Sequence, residues 1–141
     1  MMTTQVDERP TAQRVPVRID VKVGAIAVVV AVAVWSAWTG IAGLDLVVRG
    51  GRTVGLASVL ATTLVVSALG VSLLRLLEAR TVNGLRTWTV VAASVLAVSL
   101  SGPLGATTLA AGLALVSLHL WVAAVLVVGL RRVRRNCGGA A

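Results

Sequence analysis

His119 is the single histidine in a chain of 141 residues. It stands in Leu115-Val116-Ser117-Leu118-His119-Leu120-Trp121, an apolar setting where an ionisable ring is costly unless it faces protein or water. Imidazole titrates near neutrality, and burial favours the neutral form, which both donates and accepts a hydrogen bond. Ser36, Ser67 and Ser99 fall at comparable depth in other apolar segments. Together they define a candidate midplane polar site of His119, Ser67, Ser99 and Ser36. Two chemistries fit it: a proton-sensitive or ligand-binding centre, and an interhelical hydrogen bond from the imidazole to Ser67 or Ser99. The second, which needs no further machinery, is favoured.

Glu78 is the second candidate, in Leu74-Arg75-Leu76-Leu77-Glu78-Ala79-Arg80. Arg75 lies three positions earlier on the same helical face, so a Glu78–Arg75 interfacial ion pair is expected. Ser67 shares that face, which lines up Glu78, Ser67 and His119 from one end toward the centre. His119 and Glu78 differ in depth by about 16 Å, so only water could link them. Asp45, four positions before Arg49, suggests another pair of the same kind.

No catalytic residues are assigned. The chain has no phosphate-binding glycine loop, no HExxH and no CxxC, and its lone Cys137 leaves a thiol redox or zinc site without a second ligand. No enzyme activity, metal or cofactor is expected.

The elements that must hold these residues are four apolar segments, about 23–48, 54–77, 87–104 and 106–130. Each is about as long as a helix needs to cross some 30 Å of hydrocarbon. At 57% hydrophobic and 13% charged residues, the chain is too apolar for a soluble domain of its size. The fold class is all-α, an antiparallel bundle of four transmembrane helices occupying 23–131. The connections near Arg49–Thr53 and Ser101–Gly105 are too short to reach a distant helix, so each joins adjacent neighbours. Gly102 and Pro103 make the second turn, because proline lacks the amide hydrogen and glycine tolerates the bend. Close approach is expected through Ser36, Gly40 and Gly43, through Thr63, Ser67 and Gly70, and through Ala106, Ala110 and Ala114. Trp88, at the start of the third segment, fits an interfacial aromatic belt.

Positive charge orients the bundle. Residues 1–22 and 132–141 read as a disordered leader and a basic tail, and with the connection between segments two and three they hold eleven Lys and Arg if Arg131 is counted; the opposite side has only Arg49 and Arg52. Both termini are therefore expected in the cytoplasm. Arg131, Arg132, Arg134 and Arg135 form a patch suited to anionic headgroups of the lipid bilayer. Nucleic acid is excluded as a partner, since the arginines cluster at segment ends and the chain has no Phe or Tyr to stack on bases. Twelve Arg against one Lys, with heavy use of Ala, Val and Gly, suits a GC-rich bacterial coding sequence and hence a bacterial plasma membrane.

Leu76-Leu77-Glu78, Arg86 with Trp88, Ser99-Leu100-Ser101-Gly102-Pro103-Leu104 and Leu118-His119 resemble a group of small actinobacterial four-helix membrane proteins of unknown function. The resemblance covers about Val23 to Arg132. It implies a plasma-membrane location and four helices, singles out Glu78, Pro103 and His119, and transfers no activity. Two function classes follow. The favoured one is a non-enzymatic accessory or structural bundle binding lipid or a membrane protein partner. The alternative is a small transporter or channel, homo-oligomeric because four thin helices enclose little volume, with His119 as its proton-sensitive element.

Overall fold

The computed structural model describes residues 15–138. The expected disorder of residues 1–14 and the last three residues of the expected tail lie outside them. The chain forms α1 (Val17–Ser36), a π-helical turn (Ala37–Ile41), β1 (Val47–Val48), β2 (Arg52–Thr53), α2 (Leu56–Arg80), α3 (Gly84–Ser99), a 3-10 turn (Gly102–Gly105) and α4 (Leu109–Gly138).

The first segment departs most from expectation. Its helix begins at Val17, inside the expected leader, because Pro16 supplies a starting residue whose carbonyl accepts from the Ile19 amide at 3.0 Å. It ends long before Val48. The helix widens at Ala37–Ile41, and Gly43 adopts φ +62°, the left-handed conformation that closes helices. The chain then runs extended into a hairpin in which Val47 faces Thr53 and Val48 faces Arg52. Gly50 (φ +90°) and Gly51 (φ +71°) make the turn, a backbone that side-chain-bearing residues rarely adopt. The fold is thus helical with a small two-stranded ribbon, and Asp45 and Arg49 lose the helical spacing that would have paired them.

The other boundaries shift less. The third helix starts at Gly84 and its α-helical part ends at Ser99, with Gly102 and Pro103 in a 3-10 turn. The fourth continues through all four arginines, so the expected tail is helical as far as it is described. The ribbon and this turn meet: the Arg49 amide donates to the Gly105 carbonyl at 2.9 Å, and the Thr107 hydroxyl to the Val47 carbonyl at 3.0 Å. This backbone seam joins the ribbon to the turn at one end of the packed helices.

Three helices, Leu56–Arg80, Gly84–Gly105 and Leu109–Asn136, are long and apolar enough to cross a membrane; α1 is not among them. Arg18, Asp20 and Lys22 occupy its first two turns, leaving Val23–Ser36, only about 21 Å of uncharged α-helix. At most 28% of the residues in the three long segments are buried within the protein. Val29, Leu64, Leu69, Val98 and Leu113 point outward and are more than half exposed.

Helix α1 packs against α4 and α2, and α3 against α2 and, less extensively, α4. Small residues set the approach, though not all of the expected ones. Ala27 and Ala31 are buried on α1, whereas Ser36 and Gly40 are exposed. A Cβ placed on Gly129 would lie 2.8 Å from Val23 Cγ1, and one on Gly24 would lie 3.5 Å from Ser67 Cβ. On α4 the buried small residues are Ala111 and Ala114. At the turn between α2 and α3 a Cβ on Gly84 would come within 2.7 Å of the Glu78 backbone, so only glycine fits there. Trp88 is 3% exposed, with its indole N–H donating to the Gly70 carbonyl at 2.9 Å. It is an interhelical wedge and not a surface belt residue.

Candidate functional site

The buried stripes of α1, α2 and α4 each end in a charge. On α1, Ala27 and Val23 are buried at a four-residue spacing, and Asp20 follows one turn earlier. On α4, Leu126 and Leu130 are buried, and Arg134 falls four residues on. On α2, Leu74 is buried and Glu78 follows at the same spacing, with Arg75 beside it. The helical period that packs the core therefore carries four charged groups to one place.

Asp20 is their centre, a fully buried carboxylate. Arg75 donates to its Oδ2 from Nε at 2.9 Å and from Nη2 at 2.7 Å, and Nη2 also donates to the Val15 carbonyl at 3.1 Å. Arg134 grips the same carboxylate with both terminal nitrogens, Nη1 on Oδ1 and Nη2 on Oδ2, the latter at 3.1 Å. Its Nε donates to Glu78 Oε1 at 3.0 Å. One planar guanidinium thus holds two carboxylates from two helices, a geometry that a lysine ammonium does not reproduce. Two acids and two arginines cancel in net charge, which tempers the cost of burying them.

Burial alone would raise the Asp20 pKa. The hydrogen bonds and positive charges of Arg134 and Arg75 outweigh it and hold the carboxyl below its ordinary value of 3.8. Asp20 also lies in the first turn of α1, where the helix dipole favours negative charge. A carboxylate saturated in this way is a poor proton acceptor. The arrangement is a clamp joining α1, α2 and α4.

The expected Glu78–Arg75 pair is corrected. Both residues do share a face of α2, yet that face abuts two helices: Arg75 reaches α1 and Glu78 reaches α4. By sequence, Arg134 falls among the headgroup contacts and Asp20 in the leader, and the structure joins them. The signal lay in their spacing, since each continues a buried apolar stripe by one turn.

The midplane layer is also corrected. Among the described residues, none of Ser36, Ser67 and Ser99 hydrogen-bonds His119. The imidazole Nδ1 lies 2.7 Å from the carbonyl of Leu115 on its own helix, and a carbonyl only accepts, so Nδ1 carries the proton. Ser36 is exposed, and Ser99 donates to Leu96 O at 2.9 Å. Ser67 is buried against Gly24 of α1, and its hydroxyl has no hydrogen-bond partner among the described residues. Ser117 does link helices: it accepts from the Trp38 indole at 2.9 Å and donates to Ala114 O at 2.7 Å. Trp35 reaches the Val54 carbonyl at 2.9 Å, tying the end of α1 to the entry of α2.

Among the described residues no group of three His, Cys, Asp or Glu side chains is placed to hold a metal ion. Of the four arginines expected to face headgroups, Arg134 is turned into the clamp and 9% exposed, while Arg131, Arg132 and Arg135 line surface clefts. No curated protein and no solved structure matches the chain. The model of the family of unknown function DUF6069 matches residues 11–136, a stretch that includes Asp20, Arg75, Glu78 and Arg134, and the chain belongs to that family.

Proposed function

We propose that the chain is a four-span protein of a bacterial plasma membrane, with both termini cytoplasmic, acting without catalysis as a bundle that binds lipid or a membrane partner. The observation that carries this is the distribution of polarity. The outward faces of the helices are apolar, α1 included, where Ile26 is 54% and Val29 67% exposed. Among the described residues positive charge gathers at one end instead, with Arg18, Lys22, Arg75, Arg80, Arg86, Arg131, Arg132, Arg134 and Arg135 there and Arg49 and Arg52 at the other. That asymmetry is the positive-inside pattern.

The clamp supports a span for α1 despite its charges. Asp20 is neutralised by Arg75 and Arg134, and Arg18 and Lys22 can reach headgroups along their alkyl stems. With the π-helical turn, the uncharged stretch from Val23 to Ile41 covers about 28 Å. The transport alternative has less to stand on, because its polar layer is dispersed and His119 is engaged by its own backbone.

Thiol labelling of intact cells tests the topology. The native Cys137 is expected to react with a membrane-impermeant maleimide only after permeabilisation, as is Thr4→Cys in a Cys137→Ser background. Arg52→Cys in that background should react at once. If Thr4→Cys instead behaves like Arg52→Cys, α1 does not cross and the four-span reading is wrong.

A further inference from the structure

We propose that the cleft between the start of α3 and the end of α4 binds the phosphate of an anionic phospholipid, with an acyl chain lying along the valines beneath it. This rests on the membrane reading above. The cleft has a volume of about 510 Å³ and takes Arg86 and Asn83 from one helix start and Arg131 and Arg135 from the other helix end. Three guanidiniums face one space, which is unfavourable unless an anion joins them. The protein supplies none nearby among the described residues: Asp20 and Glu78, the two acids at this end, are held by Arg75 and Arg134. The start of α3 adds to the positive potential, since its amide groups receive no side-chain cap from Asn83.

The order of residues along each helix identifies the ligand class. Val90 lies one turn inward from Arg86, and Val127 and Val128 one turn inward from Arg131 and Arg132. Val90 is 61% and Val128 48% exposed. A second cleft of about 240 Å³, lined by Val127, Val128, Arg131, Arg132 and Arg135, adjoins the first through its shared arginines. Cations at the helix ends with apolar wall toward the bundle centre match a phosphate above a hydrocarbon tail. Basic pockets between helices at the cytoplasmic face suit anionic headgroups for this reason.

The test is native mass spectrometry of the full chain in mild detergent, titrated with phosphatidylglycerol or phosphatidylcholine. Wild type should retain phosphatidylglycerol preferentially. Arg86→Gln and Arg131→Gln should each lower retention about fivefold. Arg80→Gln removes an equal charge from the same end but outside the cleft, and should change retention far less; melting curves establish that all three variants fold. Equal retention of the two lipids, or an equal loss in Arg80→Gln and Arg86→Gln, would overturn the site. Glycerol phosphate binding as tightly as the lipid would overturn it too, because the valine wall would then contribute nothing. Alkaline carbonate extraction of wild type separates the two readings: release from membranes sinks the membrane reading, whereas retention without lipid preference sinks only the cleft.

Discussion

Asp20 on α1 and Arg134 on α4, 114 positions apart, meet through both oxygens of one carboxylate and both terminal nitrogens of one guanidinium. The carboxylate side chain is wholly buried and the guanidinium side chain 9% exposed. Because Arg75 and Glu78 complete the cluster from α2, three helices converge on a single charge-compensated point. The opposite end is joined differently, by the backbone seam between the ribbon and the turn at Pro103.

Removing one partner of a buried pair leaves the other charge uncompensated. Asp20→Asn is therefore expected to destabilise the bundle by about 3 kcal/mol or more. Glu78→Gln should cost about 1 kcal/mol or less, since Glu78 is one-third exposed and Arg134 keeps Asp20. Thermal melting in lipid nanodiscs gives the ranking, and a larger loss for Glu78→Gln than for Asp20→Asn would show that the clamp is not centred on Asp20.

The pH dependence follows in sign from the same carboxyl. Its folded pKa is depressed, so its contribution is present above the unfolded value near 3.8 and lost as pH falls through the lower folded value. Melting temperature should therefore hold steady from neutrality to about pH 4 with respect to this group and drop below it. Asp20→Asn should abolish that acid-side drop, which a pH series on both proteins would reveal.

Gly84 has no room for a methyl group, because the obstructing atoms are backbone. Gly84→Ala should cost about 1–3 kcal/mol by forcing α2 and α3 apart at their turn. Gly70→Ala is the matched control, with nothing within 4 Å of its added carbon. Comparable melting of the two variants would contradict the close approach.

His119→Ala should be mild, about 1 kcal/mol, since its bond goes to a carbonyl of its own helix. Calorimetry or melting would detect a larger loss, and a loss of several kcal/mol would mean that the ring bridges helices after all.

Much of this architecture was readable in the residues. The long apolar runs mark the middles of α2 and α4, because lipid-length hydrophobicity is a cumulative signal that single residues do not disturb, but they do not show that α4 runs on to Gly138. Glu78 and Arg75 read as charged neighbours at one helix end. Their partners were missed because i,i+3 spacing shows which residues share a face but not which helix that face meets. Asp20 was hidden in what looked like a polar leader, and Arg134 among three arginines of similar appearance. The ribbon was missed for a related reason: Leu46, Val47 and Val48 are as apolar as a helix requires, and only the paired glycines Gly50 and Gly51 mark the turn. His119 drew attention by its type, although its own helix satisfies it.

A disulfide between α1 and α4 tests the docking of these helices most directly. A Cβ on Gly129 would lie 3.7 Å from Val23 Cβ, within the separation that a disulfide spans. Val23→Cys with Gly129→Cys, in a Cys137→Ser background, should crosslink in native membranes under mild oxidant and run as a compact monomer on gels. Free thiols persisting at both positions in a protein that otherwise remains folded would contradict the docking of α1 on α4, and with it the clamp at Asp20.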